Sequence, residues 1–159
     1  MRNLLIVCNP SRTDAVAAAV ELQHSLASTF GIYTISDVEI SGIIRTAVDD
    51  LPELEVAVVL GGDGTMLRAA EVAHEREIPL LGVNLGHVGF LSEVEHSKIS
   101  DVIDALIKKS YVIDPRITLG YTVERDGKVV ASGWALNEVT VEREKATMVE
   151  LFLEIDSRP

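Results

Sequence analysis

Five consecutive residues, Gly61-Gly62-Asp63-Gly64-Thr65, carry the clearest chemistry in this chain. Three glycines in four positions let a backbone turn sharply and come close to a ligand. A helix starting there would present free N–H groups, which favour phosphate oxygens. Asp63 stands apart in this anion-friendly turn, because a carboxylate repels phosphate unless it handles a proton or a metal. Arg68 follows one helical turn past Gly64, close enough to reach back to an anion. Asn137 and Glu138 join an amide that donates and accepts with a carboxylate that accepts from hydroxyls or binds metal. Each feature also has a plainer reading when taken alone. The glycines suit a tight strand-to-helix connection, Arg68 a solvent-facing position, and Asn137-Glu138 a strand-end turn with a solvated carboxylate.

Elements must hold these residues in place. Val56 to Leu60 is an unbroken apolar run, and Met66 to Ala73 is a helix-forming series. The pentapeptide therefore reads as the turn between a buried strand and a helix. Leu4 to Cys8 reads as a first strand, ended by Asn9-Pro10. Ser11 or Thr13 can cap a helix whose apolar face runs through Val16, Ala19, Val20, Leu26 and Phe30, with Gly31 as its stop. Ile32 to Ile35 reads as a second strand. The spacing of Ile40, Ile43, Ile44 and Val48 predicts a short helix, and Asp49, Asp50, Glu53 and Glu55 a solvated acidic face.

Ile78 to Asn84 is the fourth expected strand, and it runs into a second glycine segment, Leu85-Gly86-His87-Val88-Gly89-Phe90-Leu91. In an open parallel sheet, ligands bind outside the carboxyl ends of the strands, so both glycine turns would lie on that edge. His87 reads equally as a ligand contact or a packed loop residue. Ile99, Val102, Ile103, Leu106 and Ile107 make an amphipathic helix that stops near Tyr111. Beyond Asp114-Pro115-Arg116 the period changes from helix to strand. Ile117, Leu119, Tyr121 and Val123 alternate with polar or small residues, and Asp126-Gly127 between two such runs signals a hairpin. Val149, Leu151, Leu153 and Ile155 alternate in the same way.

The fold expected is α/β: a Rossmann-like open-sheet domain over 1–114, followed by the opening strands of an all-β second domain over 117–159. Three or four strands there would leave an open sheet edge, so the chain reads as a fragment or as one completed elsewhere. Hydrophobic residues make up 47% of the 159, enough for a sizeable core. A formal net charge of −11 argues against nucleic-acid binding through a general basic surface. The single cysteine, Cys8, excludes an intrachain disulfide and reads as a small buried hydrophobe. No apolar run approaches the ~20 residues of a membrane helix. A cytoplasmic protein is the expectation.

Taken in order, Gly61-Gly62-Asp63-Gly64-Thr65, the segment from Gly82 to Leu91 and Ala135-Leu136-Asn137-Glu138 resemble the bacterial-type NAD kinase family. The likeness is loose up to residue 55 and close from 56 to about 141. The pentapeptide is shared with lipid kinases and, in a related form, with phosphofructokinases. The Gly86-His87-Val88-Gly89-Phe90-Leu91 segment and the later Asn-Glu favour the NAD kinases. A lipid or sugar kinase, and a non-catalytic nucleotide-sensing module, are the rival readings.

The resemblance implies phosphoryl transfer from ATP or polyphosphate to the 2′-hydroxyl of the adenosine ribose of NAD, with a divalent cation such as Mg2+. It implies that Asp63 accepts the proton and that Gly61, Gly62, Gly64 and Thr65 form the phosphate-approaching loop. By the same likeness Asp63, Gly64, Arg68, Phe90, Asn137 and Glu138 bind NAD. No metal ligand is assigned, and the full-length protein would be a homo-oligomer. A later Thr-Pro-Thr-Gly-Ser-Thr-Ala-Tyr segment and a Gly-Gly-Pro of the family are not in this sequence. Residues 1–159 alone are therefore expected to be inactive.

Overall fold

The computed structural model describes residues 1–85, 94–95, 99–142, 148, 152, 154 and 158. The chain divides into two compact units, Met1–Pro115 and Arg116–Pro159.

In the first unit the elements run β1 (Arg2–Cys8), α1 (Thr13–Leu26), β2 (Phe30–Thr34), β3 (Ile44–Arg45), β4 (Val56–Leu60), α2 (Asp63–Arg76), β5 (Leu80–Asn84), β6 (Val94–Glu95) and α3 (Ile99–Lys108). The six strands form one sheet in the order β3-β2-β1-β4-β5-β6, and every pairing is parallel. β1 and β4 are apolar at nearly every position because both faces of a parallel sheet are covered. Their side chains alternate between two cores. Leu4, Ile6, Cys8, Val56, Val58 and Leu60 pack on one face with Ala15, Ala19 and Leu22 of α1 and Val102 and Leu106 of α3. Leu5, Val7, Ala57 and Val59 pack on the other with Met66, Ala69 and Ala73 of α2. Leu4, Leu5, Ile6, Val58 and Leu60 are wholly buried, and each such aliphatic side chain contributes about 1.5–3 kcal/mol.

The carboxylate of Glu55 ties the amino-terminal ends of β1 and β4 to the end of α3. Arg2 Nε donates to its Oε2 at 2.7 Å, Arg2 Nη2 to its Oε1 at 2.5 Å, and Tyr111 Oη to its Oε1 at 2.8 Å. Arg2 Nη2 also donates to the Leu106 carbonyl at 2.7 Å, and the Arg2 guanidinium stacks 4.2 Å from the Phe30 ring centre. Lys109 Nζ lies 3.3 Å from Glu55 Oε2. These partners, Arg2 foremost, hold the Glu55 carboxyl down to about 2 against the opposing effect of burial.

Several local expectations need correction. Residues 40–48 form no helix; a two-residue strand, β3, lies there instead. Ile40 and Ile43 pack into the core on the α1 side of the sheet, whereas Val48 packs into the core on the α2 side. One helical face cannot serve both. Phe30 opens β2 rather than closing α1, and Gly31 lies inside that strand. Arg12, not Ser11 or Thr13, occupies the cap position of α1, and its side chain makes no capping bond. Ile107, expected on the buried face of α3, is 42% exposed.

The second unit contains the antiparallel pair β7 (Leu119–Arg125) and β8 (Lys128–Ala135). Asp126 and Gly127 join them with φ of 51° and 70°. Both central residues of a type I′ turn need positive φ, which is why Asp-Gly reads as a hairpin. Val149, Leu151, Leu153 and Ile155 lie outside the described residues. Among the described residues no helix is long and apolar enough to cross a membrane.

Candidate functional site

β1 and β4 are neighbours whose following helices leave to opposite faces of the sheet. The pairing Cys8↔Leu60 brings their carboxyl ends level. A chain that turns one way after β1 and the other way after β4 must leave a crevice between the two connections. A cleft of about 450 Å³ opens there. Cys8, Asn9, Pro10 and Arg12 line it from the β1–α1 loop, and Gly62, Gly64, Thr65 and Arg68 from the β4–α2 turn. Among the described residues the lining includes two basic side chains and no carboxylate, although Arg12 is paired with Asp14 just outside it and the chain carries a net charge of −11.

The turn owes its shape to α2. Gly62 is the cap residue of that helix, with extended φ of −102°, and its carbonyl accepts from Thr65 N at 2.9 Å and from Met66 N at 3.1 Å. The amino-terminal end of a fourteen-residue helix therefore opens beside the cleft. The three glycines are not equivalent. A Cβ on Gly61 would meet Thr65 Oγ1 at 2.5 Å, so Gly61 is required by packing. Among the described residues, a Cβ on Gly62 or Gly64 would have nothing within 4 Å. Neither has positive φ. Gly62 suits its cap position, where glycine is far better than alanine, but folding alone gives no reason for glycine at 64, since a helix favours alanine over glycine by ~1 kcal/mol. The unfilled space beside both is where a ligand can approach the backbone.

The opposite wall is held by side-chain hydroxyls. Thr34 Oγ1 donates to the Ile6 carbonyl at 2.7 Å and accepts from Ser36 N at 3.1 Å, and Ser36 Oγ accepts from Cys8 N at 3.0 Å. Thr34 and Ser36 are both buried, so these bonds fix the end of β1. Burial pushes the Cys8 thiol up, which makes it a poor nucleophile.

Asp63 is the first residue of α2, half-buried between Gly62 and Gly64, and its negative charge suits the helix start. It is not itself among the residues lining the cleft. Arg68 is exposed on α2 and reaches the lining, as do Gly62, Gly64 and Thr65. Asn137 and Glu138 lie exposed just after β8, in the second unit. Phe90 and His87 fall outside the described residues. Sequence reasoning missed Asn9, Pro10 and Arg12 as cleft residues. The only signal was an arginine at a helix start, where a cation is electrostatically misplaced. Among the described residues, no three His, Cys, Asp or Glu side chains come together as a metal cage.

Comparison with known proteins gives this geometry a family. Residues 4–111 match the profile described as the ATP-NAD kinase N-terminal domain. The chain is 45% identical to the NAD kinase of Corynebacterium jeikeium (strain K411), covering 67% of this chain and 33% of that protein. It is 35% identical to NAD kinase 2 of Streptomyces avermitilis, covering 99% of this chain and 56% of that protein. It thus spans about half the length, or less, of these curated relatives. Its fold is similar to that of yeast NADH kinase crystallised with NADH, with a TM-score of 0.70 at 20% identity over 86% of this chain and 44% of that one. The family match covers more than half of the sequence, including both walls of the cleft: this chain belongs to the NAD kinase family and contains its N-terminal domain.

Proposed function

We propose that the protein transfers a phosphoryl group from ATP, or from polyphosphate, to the 2′-hydroxyl of the adenosine ribose of NAD, forming NADP. The observation that carries this reading is the open space beside Gly62 and Gly64 at the start of α2, in a cleft with two arginines. Phosphoryl transfer depends on positioning and charge neutralisation more than on covalent help from the protein. The Gly62–Thr65 backbone and the α2 terminus take the phosphates. Asp63 orients the ribose hydroxyl and accepts its proton as the new P–O bond forms. Arg68, Phe90, Asn137 and Glu138 hold NAD, with Asn137 suited to the adenine edge and Glu138 to ribose hydroxyls.

The described residues do not fit a protein-built metal cage, so no step is assigned to a protein-held ion. Mg2+ usually keeps several waters and rides on substrate phosphates, and that is where we place the divalent cation. The reading further places the enzyme in the cytoplasm, as a homo-oligomer. The test is NADP formation by the full-length gene product, with ATP and polyphosphate compared as donors. Phosphorylation of a lipid or sugar with none on NAD would overturn the reading.

A further inference from the structure

Helix capping does not explain Arg12. It occupies the cap position of α1, where its side chain makes no capping bond, between Ser11 and Thr13, either of which suits a cap better. A cation there also opposes the helix dipole. Positions that break local rules are often those that serve a site. Arg12 lines the cleft opposite Gly62, Gly64 and Arg68.

Its guanidinium is anchored on one side. Nε donates to Asp14 Oδ1 at 3.0 Å and Nη2 to Asp14 Oδ2 at 2.5 Å. Nη2 also donates to the Leu85 carbonyl, at the end of β5. Nη1 makes no hydrogen bond among the described residues, and the side chain keeps 35% of its surface exposed. An arginine held through Nε and Nη2 in the wall of a cleft is pre-organised to donate its remaining N–H groups to phosphate oxygens. Asp14 is itself 46% exposed. Among the described residues the lining brings a second guanidinium, Arg68, and no carboxylate, which suits an anionic ligand.

We infer that Arg12 binds the phosphate chain of the phosphoryl donor in the cleft between β1 and β4, held toward it by Asp14 and the Leu85 carbonyl. The assignment to the donor rests on the kinase reading above. Binding of the phosphate chain by itself rests on the cleft.

Two experiments test it. In the full-length gene product, Arg12→Ala should raise the KM for ATP by roughly 10- to 100-fold, the loss expected for charge-assisted hydrogen bonds. The KM for NAD should stay within about two-fold. Arg12→Lys, which keeps the charge, should recover part of the loss; Arg12→Gln serves if the alanine variant does not fold, and should show the same donor defect. An unchanged KM for ATP, or equal rises for both substrates, would make Arg12 a structural staple and overturn the inference. The second experiment titrates inorganic tripolyphosphate into residues 1–159 by calorimetry. Wild type should bind it, and Arg12→Ala should bind it at least ten-fold more weakly. No binding by wild type, or equal binding by the variant, also overturns the inference. If the gene product forms no NADP at all, the kinase reading fails, and the tripolyphosphate comparison still decides what Arg12 holds.

Discussion

Thr65 stands directly over Gly61. A Cβ at position 61 would lie 2.5 Å from Thr65 Oγ1 and 2.9 Å from Thr65 Cβ, distances no real pair of atoms adopts without movement. Gly64, three residues on, has open space in the same direction of substitution. The two glycines therefore predict opposite outcomes. Gly61→Ala overpacks the turn and should cost about 1–3 kcal/mol of stability. Gly64→Ala should leave stability unchanged or raise it by up to ~1 kcal/mol, while strongly reducing NADP formation. Chemical denaturation and turnover measured on both variants check this. A Gly64→Ala enzyme with normal turnover would show that no ligand uses that space.

Asp63→Asn keeps the shape at the first position of α2 and removes the base. Nucleotide binding should persist while turnover falls by ~10²–10⁴, the usual range for losing a general base. The lost charge at the helix start should cost only ~0.3–1 kcal/mol, so melting curves will separate a folding defect from a chemical one. Near-normal turnover would remove Asp63 from the chemistry, and a loss confined to NAD affinity would make it a binding residue.

Glu55 predicts an acid transition. Its carboxyl is held at about 2 in the folded chain, below its ordinary 4.5, so the folded state prefers the ionised form. The stabilisation is complete above about 4.5, falls as pH drops below that, and is gone once pH passes through about 2. Glu55→Gln should lose on the order of 1–3 kcal/mol at pH 7, since Arg2 keeps only its carbonyl and ring contacts. Denaturation curves of wild type and variant, taken from pH 7 downward, should converge toward pH 2. A constant gap across that range would place the effect in packing instead.

Asn137 and Glu138 are exposed, so Asn137→Ala and Glu138→Ala should each change stability by no more than about 0.5 kcal/mol. In the full-length gene product each should weaken NAD binding more than ATP binding. Calorimetric titration with the two nucleotides separates these effects. Equal losses for both would point to a structural role for the pair.

The local parts of this protein were legible because their signals are local. An apolar run, a glycine turn and a helix-forming series specify β4, the turn and α2 within about twenty residues. Asp126-Gly127 specifies its hairpin because the two positive φ values belong to adjacent residues. The span from Ile40 to Val48 misled for the converse reason. Its apolar residues are spaced like one helical face, yet Ile40 and Ile43 pack into one core, Val48 packs into the core on the other side of the sheet, and Ile44 is exposed. Periodicity does not record which neighbour buries a side chain. The cleft shows the same division. Sequence marked Gly62, Gly64 and Arg68 as its chemistry, but Arg12 joined them only because β1 pairs with β4 in register. That pairing brings Cys8 beside Leu60 across a long separation in the chain. It depends on which strand surfaces can be covered from both faces at once, a property of the assembled sheet and not of either segment.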